Sequence, residues 1–122
     1  MNLIRQGDVL LRPTRRKIVR DKAGNITNCG AEVAPEKGRV VLAKGEHTGH
    51  YHSLPYGGAL LYRDEAGGAT LDVKSTMEKF EHLLGMKPTG EHAALDVPKG
   101  TYDVIQQHGL SPDQASDSRV WD

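Results

Sequence analysis

The sequence predicts a mainly β domain, built as a small barrel or a jelly-roll sandwich of short antiparallel strands. Two segments carry most of this prediction, because Arg39–Ala43 is a continuous β-branched run and Ala69–Lys74 alternates apolar and polar residues. Turn signals separate such runs about every 8 to 12 residues, a spacing typical of all-β sandwiches and barrels. The 14 glycines among 122 residues agree with many tight turns.

Each predicted strand has a local reason. A short apolar run that ends before Pro13 predicts the first strand, and the turn sequence Asp21–Asn25 predicts a hairpin. The run from Arg39 predicts a strand buried on both faces, whereas the alternation from Ala69 predicts a half-buried strand. A turn at Pro98–Gly100 separates the last two strands. In order, the predicted strands are Gly7–Leu11, Lys17–Val19, Ile26–Thr27, Arg39–Ala43, Thr48–Leu54, Ala59–Arg63, Ala69–Lys74, Ala93–Val97 and Gly100–Gln106.

One segment is predicted to be helical. Ser75 and Glu78 form a capping-box pattern, and the apolar residues of Met77–Leu84 recur at helical spacing. This pattern predicts one short helix near residues 76–85. A strand over Lys79–Leu84 is the alternative.

The composition predicts a single soluble domain over residues 1–110, followed by an extended polar tail over residues 111–122. The 16 basic and 16 acidic residues cancel, so no overall field attracts nucleic acid, and a nucleic-acid partner is not expected. No apolar run approaches the roughly 20 residues that span a bilayer. The single Cys29 excludes an intramolecular disulfide. We therefore expect a cytoplasmic protein with no membrane partner.

The main candidate site is a pair of histidines, His50 and His52. On a strand, residues at i and i+2 point to the same face and lie about 7 Å apart. Both imidazoles can therefore reach one ion at the roughly 2.0–2.1 Å of a metal–nitrogen bond. Imidazole suits zinc, iron and nickel, so we expect a divalent metal of this kind as the cofactor. A solvated strand face is the alternative explanation.

Two histidines alone do not hold a metal tightly, so a third ligand must come from elsewhere. His92 is preferred, because a three-histidine arrangement leaves positions open for water or substrate. Glu91 or Glu46 would then move the proton in metal-assisted hydrolysis, the reaction class expected of an enzyme here. The residues weighed as the third ligand are Glu46, His82, Glu91 and His92.

A basic stretch and two tyrosines are the candidate substrate-binding groups. Arg15 and Arg16 lie in the stretch Arg12–Lys22, which would steer a phosphorylated or nucleotide-like small molecule. A charged edge strand is the alternative explanation of this stretch. Tyr51 and Tyr56 flank the His-x-His strand and would stack on a base.

The alternative to an enzyme is a non-catalytic binding or assembly module of the phage type. Such a module would sequester a nucleotide or bind a protein partner, and its edge strands and tail would form homo-oligomer contacts. Replacing Arg15 and Arg16 would abolish its affinity. Replacing His50 and His52 would leave that affinity intact but would abolish the activity of an enzyme.

The order of two motifs resembles the cupin family. Gly45 precedes His50–His52, and Pro98–Gly100 follows, as the first and second cupin motifs do. The resemblance covers about half of the chain and implies a cupin-like sandwich. The sequence departs from cupins where Leu54–Tyr56 replace the first-motif glutamate and Thr101–Asp103 replace the second-motif histidine. The resemblance therefore implies the fold more than the metal site.

Three segments also resemble a group of small bacterial and phage proteins. They are Arg5–Val9 (Arg-Gln-Gly-Asp-Val), Gly45–His52 (Gly-Glu-x-Thr-Gly-His-x-His) and Glu91–Tyr102 (Glu-His-x-x-Leu-x-x-Pro-x-Gly-x-Tyr). The resemblance implies that His50, His52 and the pair Glu91–His92 belong to one pattern, which does not include His82. It implies no particular activity.

Overall fold

The computed structural model describes residues 3–45, 49–85, 87–90 and 92–106. These residues form strands and no helix, so the predicted mainly β class is confirmed. Within these ranges, no helix is present that has the length and apolar character needed to cross a membrane. The strands are β1 (Ile4–Gln6), β2 (Val9–Thr14), β3 (Ala31–Glu32), β4 (Arg39–Lys44), β5 (His50–Pro55), β6 (Ala59–Arg63), β7 (Ala69–Leu84), β8 (Lys87–Pro88) and β9 (Leu95–Gln106).

The strands form one open antiparallel sheet. Its main path runs β1-β2-β9-β7-β5-β4, while β6 pairs with β3 and β7, and β8 pairs with β7. The path ends at β1 and β4, which do not pair with each other in the described residues. A closed barrel, one of the two predicted architectures, is therefore wrong.

The long strand β7 joins the parts of this sheet. Its first half, Ala69–Val73, lies between β6 and β9, whereas its second half pairs with β9, β5 and β8. A register irregularity between Val73 and Met77 separates the two halves. As a result β5 lies beside the C-terminal end of β7.

The helix predicted near residues 76–85 is wrong, because the chain continues as β7 up to Leu84. The alternative strand over Lys79–Leu84 is confirmed. Pairing with β9 and β5, together with burial of Phe80 in the core, outweighs the local capping signal, because tertiary context overrides local propensity. The amide of Ser75 donates to the carbonyl of Gly58 instead of starting a helix.

Three shorter predictions also fail. Lys17–Val19 and Ile26–Thr27 are not strands, although Arg20 and Ile26 form an isolated antiparallel bridge across the predicted turn. Pro98–Gly100 is not a turn, because β9 runs through it while pairing with β7. The boundary predicted at residue 110 and the predicted tail lie outside the described residues.

Side chains from β2, β4, β5, β6, β7 and β9 form the apolar core. Leu54 on β5 and Phe80 on β7 are fully buried members of it. Side chains two positions apart on a strand point to the same face. His52 therefore shares the face of Leu54 on β5, and His82 shares the face of Phe80 on β7. The buried face of the sheet thus changes from apolar residues to histidines at this end of β5 and β7. The core comprises Val9, Leu11, Val40, Leu42, Ala43, Leu54, Ala59, Leu61, Leu71, Val73, Phe80, Val97 and Tyr102.

Candidate functional site

Four histidines come together where β5 meets β7. His50 and His52 lie on β5, and the antiparallel register places His82 of β7 directly opposite His52. His92 lies in the segment that leads into β9. His52 and His82 are buried, His50 is half-buried and His92 is exposed. We call these four residues the histidine cluster.

The rings of the histidine cluster are in mutual contact. The ring centroid of His82 lies 4.6 Å from that of His52, 4.7 Å from that of His92 and 5.2 Å from that of His50. The centroids of His52 and His92 are 5.8 Å apart. His82 is therefore the central ring, with the other three arranged around it.

A buried glutamine connects the segments that carry these rings. The amide nitrogen of Gln6 donates to the carbonyl oxygens of Phe80 and Ala93, each at 2.9 Å. Its oxygen lies 2.8 Å from Nδ1 of His52. Gln6 is only 2% exposed, so it has little access to water as an alternative partner. One side chain of β1 thus ties together β5, β7 and the segment before β9.

The hydrogen bonds of Gln6 decide the tautomer of His52. The carbonyl oxygens of Phe80 and Ala93 can only accept hydrogen bonds, so the amide nitrogen of Gln6 must face them. The amide oxygen of Gln6 then faces the ring of His52 and accepts a hydrogen from Nδ1. Burial lowers the pKa of His52 to about 4, and the neighbouring His82 adds to this effect. His52 is therefore neutral at pH 7, with its lone pair on Nε2.

An acidic side chain faces that lone pair. The carboxylate of Asp8, in the turn between β1 and β2, lies 3.6 Å from Nε2 of His52. This carboxylate favours the charged imidazole, yet the pKa of His52 remains lowered because burial and His82 outweigh it. Nε2 of His52 and the carboxylate of Asp8, both electron-pair donors, thus face each other at a distance too long for a hydrogen bond.

Gly7 allows the β1–β2 turn to approach the rings. Its φ of 59° lies in the left-handed region that favours glycine. A Cβ atom at this position would lie 3.0 Å from Nε2 of His92 and 3.2 Å from Cε1 of His52. The turn packs directly on two of the four histidines, and any side chain here would displace a ring.

His82 has its own positioning partner. Its Nδ1 lies 2.5 Å from the hydroxyl oxygen of Thr89, just after β8. Hydrogen bonds at Nδ1 orient both His52 and His82, which is how ligating histidines are commonly held by a second layer of residues. As the side chains stand, no three His, Cys, Asp or Glu residues in the described ranges are placed to bind one metal ion together.

A family model, "Domain of unknown function (DUF8820)", matches residues 5–107 of this chain. The chain belongs to the DUF8820 family. The match includes the β1–β2 turn, the histidine cluster and all of β9. No curated protein and no solved structure matches the chain.

The structure brings together three of the residues predicted as metal ligands in this DUF8820 domain. His50, His52 and His92 all belong to the histidine cluster. Glu46 and Glu91, the predicted proton carriers, lie outside the described residues.

The predicted aromatic residues do not join the histidine cluster. Tyr51 alternates with His50 and His52 on β5, and its hydroxyl donates to the carbonyl oxygen of Gly85. It lines a separate cavity of about 420 Å³. Tyr56 is exposed, with its hydroxyl 3.5 Å from Glu32.

The predicted basic residues also lie elsewhere in the domain. Arg16 donates to the hydroxyl of Thr70 at 2.9 Å and to Asp103 at 2.8 Å. Thr70 and His82 are twelve positions apart on β7, roughly 40 Å along a fully extended strand. Arg15 is exposed and makes no hydrogen bond within the described residues. Neither arginine contacts the histidine cluster.

Sequence reasoning missed Gln6, Gly7 and Asp8 as parts of this site. They form the middle of Arg5–Val9, one of the three segments on which the resemblance to small bacterial and phage proteins rests. His82 was weighed as a ligand but fell outside that pattern. The sequence did contain a signal for His82, since any antiparallel partner of the His-x-His strand must place a side chain opposite His52.

Proposed function

We propose that this domain binds a divalent transition metal in the histidine cluster. The observation that carries the proposal is the triangle of His52, His82 and His92, whose ring centroids are 4.6, 4.7 and 5.8 Å apart. Imidazoles that ligate one ion through bonds of about 2.0–2.1 Å have centroids roughly 4.5–5.5 Å apart. The His52–His82 and His82–His92 separations lie within this range, and the His52–His92 separation is slightly longer.

The tautomer of His52 supports the same proposal. A ligating histidine presents an unprotonated nitrogen to the metal while its other nitrogen donates to a protein acceptor. His52 has this arrangement, with Nδ1 donating to Gln6 and Nε2 facing Asp8. A cation between Nε2 and the carboxylate would relieve the opposition of two electron-pair donors.

Metal uptake in this proposal requires a ring to turn. The donor atoms do not converge as they stand, whereas the ring centres are close enough. His92 is exposed and makes no hydrogen bond within the described part of the chain, so its imidazole turns at little cost. His52 stays fixed by Gln6 and serves as the preorganised ligand.

The donor set favours particular ions. Three or four imidazoles with one carboxylate suit zinc, iron or nickel better than magnesium or calcium, which prefer oxygen ligands. Such an ion, if bound there, would supply Lewis-acid chemistry and lower the pKa of a bound water. Asp8, 39% exposed at its side chain, is the described carboxylate that would ligate the ion or accept a proton there. Metal-assisted hydrolysis of a small molecule is the reaction class that we propose.

The test is the metal content of tag-free protein after incubation with zinc, iron or nickel and removal of excess ion. We expect about one ion per chain in the wild type, as in other sites with several histidine ligands. The variant His50→Gln/His92→Gln changes the two less buried rings, so it should fold normally and lose most of the metal. Absence of all three metals from folded wild-type protein would overturn the proposal.

A matched pair of carboxylate variants tests the role of Asp8. We expect Asp8→Asn to weaken zinc binding at least about tenfold, because the carboxylate faces Nε2 of His52. Asp96→Asn is the control, since Asp96 is exposed on β9 and pairs with Lys79 instead. Equal zinc affinities for the two variants would exclude Asp8 from the site.

A further inference from the structure

We infer that the metal site serves a small carboxylate ligand with a short apolar chain, bound in a pocket beside His50. The pocket has a volume of about 310 Å³ and is lined by His50, Leu84, Lys87, Pro88 and Thr89. This inference rests on the proposed metal site, because the ligand would bridge the metal and the pocket. It adds the chemical class of the ligand.

The pocket borders the histidine cluster. His50 lines it, and the ring of His50 meets the ring of His82 edge to face at 5.2 Å. Thr89 also lines it, while its hydroxyl contacts Nδ1 of His82. A molecule in the pocket is therefore separated from the central ring of the cluster by one side chain at most.

The pocket carries a positive charge to which the described residues supply no counterion. Lys87 is exposed on β8 and forms no ion pair with any residue in the described ranges. An anionic group on a ligand would supply the missing partner of Lys87, and a metal ion would attract the same group.

Two of the lining side chains are apolar. Leu84 is 51% exposed, and Pro88, which pairs with Leu83 across β7 and β8, is exposed as well. A ligand chain that covered Leu84 would remove this apolar surface from water. The volume of the pocket lies near the lower limit of about 300 Å³ for small-molecule sites, so the chain must be short.

These features select a carboxylate over a phosphate. A phosphate ion offers only oxygen atoms and would leave the apolar side chains of Leu84 and Pro88 uncovered. A short-chain carboxylate places its oxygens toward Lys87 and the histidine cluster and its methylenes against Leu84 and Pro88. Butyrate is the probe that matches this description, and acetate is the same anion with two fewer methylenes.

The experiment first measures the zinc content of zinc-loaded protein. Calorimetric titrations with butyrate, acetate and inorganic phosphate then follow. We expect butyrate to bind about tenfold more tightly than acetate, because each buried methylene contributes about fourfold. The methyl signals of Leu84 should shift in the carbon–hydrogen spectrum. Lys87→Gln should weaken both carboxylates about two- to fivefold, the range of a solvent-accessible ion pair. Lys99→Gln, at an exposed position on β9, is the matched control and should change neither affinity.

Two variants separate the parts of this inference. Leu84→Ala should reduce the preference for butyrate over acetate and leave acetate binding unchanged, since the side chain is half exposed. Equal affinities for butyrate and acetate, or tighter binding of phosphate than of butyrate, in protein that carries zinc would overturn this inference alone. Protein that takes up no metal would overturn the proposed function as well, so the two failures are distinguishable.

Discussion

The side-chain oxygen of Gln6 lies 2.8 Å from Nδ1 of His52, and this contact fixes the hydrogen of the ring on Nδ1. The orientation of the amide is itself fixed, because its nitrogen donates to Phe80 and Ala93. The relationship joins residues that are 46 positions apart in the chain. It makes Gln6 both a structural connection between strands and the residue that prepares Nε2 of His52 for a ligand.

Replacing Gln6 with methionine should therefore affect stability and metal binding together. Gln6→Met keeps the length and bulk of the side chain but removes one acceptor and the donors to two carbonyls. We expect the free energy of unfolding to fall by about 2–4 kcal/mol, because buried polar groups lose their partners. Zinc affinity should fall about 10- to 100-fold, as for other residues that orient a ligating histidine. Urea denaturation and a competition titration with a zinc indicator measure the two effects.

Gln106→Met is the matched control for this prediction. Gln106 lies on β9, is half-buried and makes no side-chain hydrogen bond within the described residues. Its replacement should leave both the unfolding free energy and zinc affinity nearly unchanged. A Gln6→Met variant with normal zinc affinity would show that the tautomer of His52 does not matter for binding.

Adding one methyl group at Gly7 should disturb the histidine cluster. The Cβ of Gly7→Ala would meet Nε2 of His92 at 3.0 Å, and His92 is exposed and free to move away. The φ of 59° adds a backbone cost of about 1–2 kcal/mol for any L side chain. Because the ring of His92 can move away while the core stays in place, we expect Gly7→Ala to reduce zinc affinity more than stability. The loss of zinc affinity should be about tenfold or more.

Gly24→Ala separates backbone strain from contact with the rings. Gly24 has a φ of 88°, but a Cβ there would meet nothing within 4 Å. This variant should show the backbone cost in urea denaturation and bind zinc as the wild type does. If both glycine variants retained normal zinc affinity, His92 would not be a ligand.

The lowered pKa of His52 predicts acid sensitivity of the metal-free domain. The unfolded chain takes up a proton near pH 6.5, whereas the folded domain resists protonation of this ring until about pH 4. The unfolded state thus binds more protons between these values, so the contribution of His52 to stability is complete above pH 6.5 and falls as the pH drops toward 4. The loss amounts to about 3 kcal/mol at most.

The measurement is urea denaturation in the presence of a chelator across this pH range. His52→Gln is the comparison, because its side chain does not titrate and its amide can still bond Gln6. The difference in unfolding free energy between wild type and variant should shrink or reverse as the pH falls below 6.5. Parallel pH profiles for the two proteins would contradict the lowered pKa.

Local patterns in the sequence predicted the strands well where burial alone determines them. Ala59–Arg63 forms β6 with the predicted bounds, and Arg39–Ala43 forms β4 with one further residue. The pair His50 and His52 was identified because its i and i+2 spacing is itself local. What the sequence did not reveal were relationships between distant segments. The position of His82 depends on the register of β5 against β7, and that of Gln6 depends on β1 reaching both.

The false helix has the same origin. Ser75, Glu78 and the apolar residues after them fit a helix pattern, but pairing with β9 and β5 and burial of Phe80 override this local preference. In the folded domain the side chains of Ser75 and Glu78 lie against Gly58, where they occupy the space that a side chain there would need. Local capping signals cannot report a strand partner that lies 15 or more residues away.

Substitutions at Met77 should change the free energy of unfolding in opposite directions in a strand and in a helix. Met77 is 49% exposed and pairs with Pro98 of β9, so packing contributes little at this position. In a strand, Met77→Thr should raise the free energy of unfolding by up to about 0.5 kcal/mol and Met77→Ala should lower it, because β-branched residues are favoured there. In a helix the order would reverse, since alanine is the best helix former and threonine a poor one. Urea denaturation of the two variants side by side determines the sign, and a more stable Met77→Ala would contradict the continuity of β7 through this position.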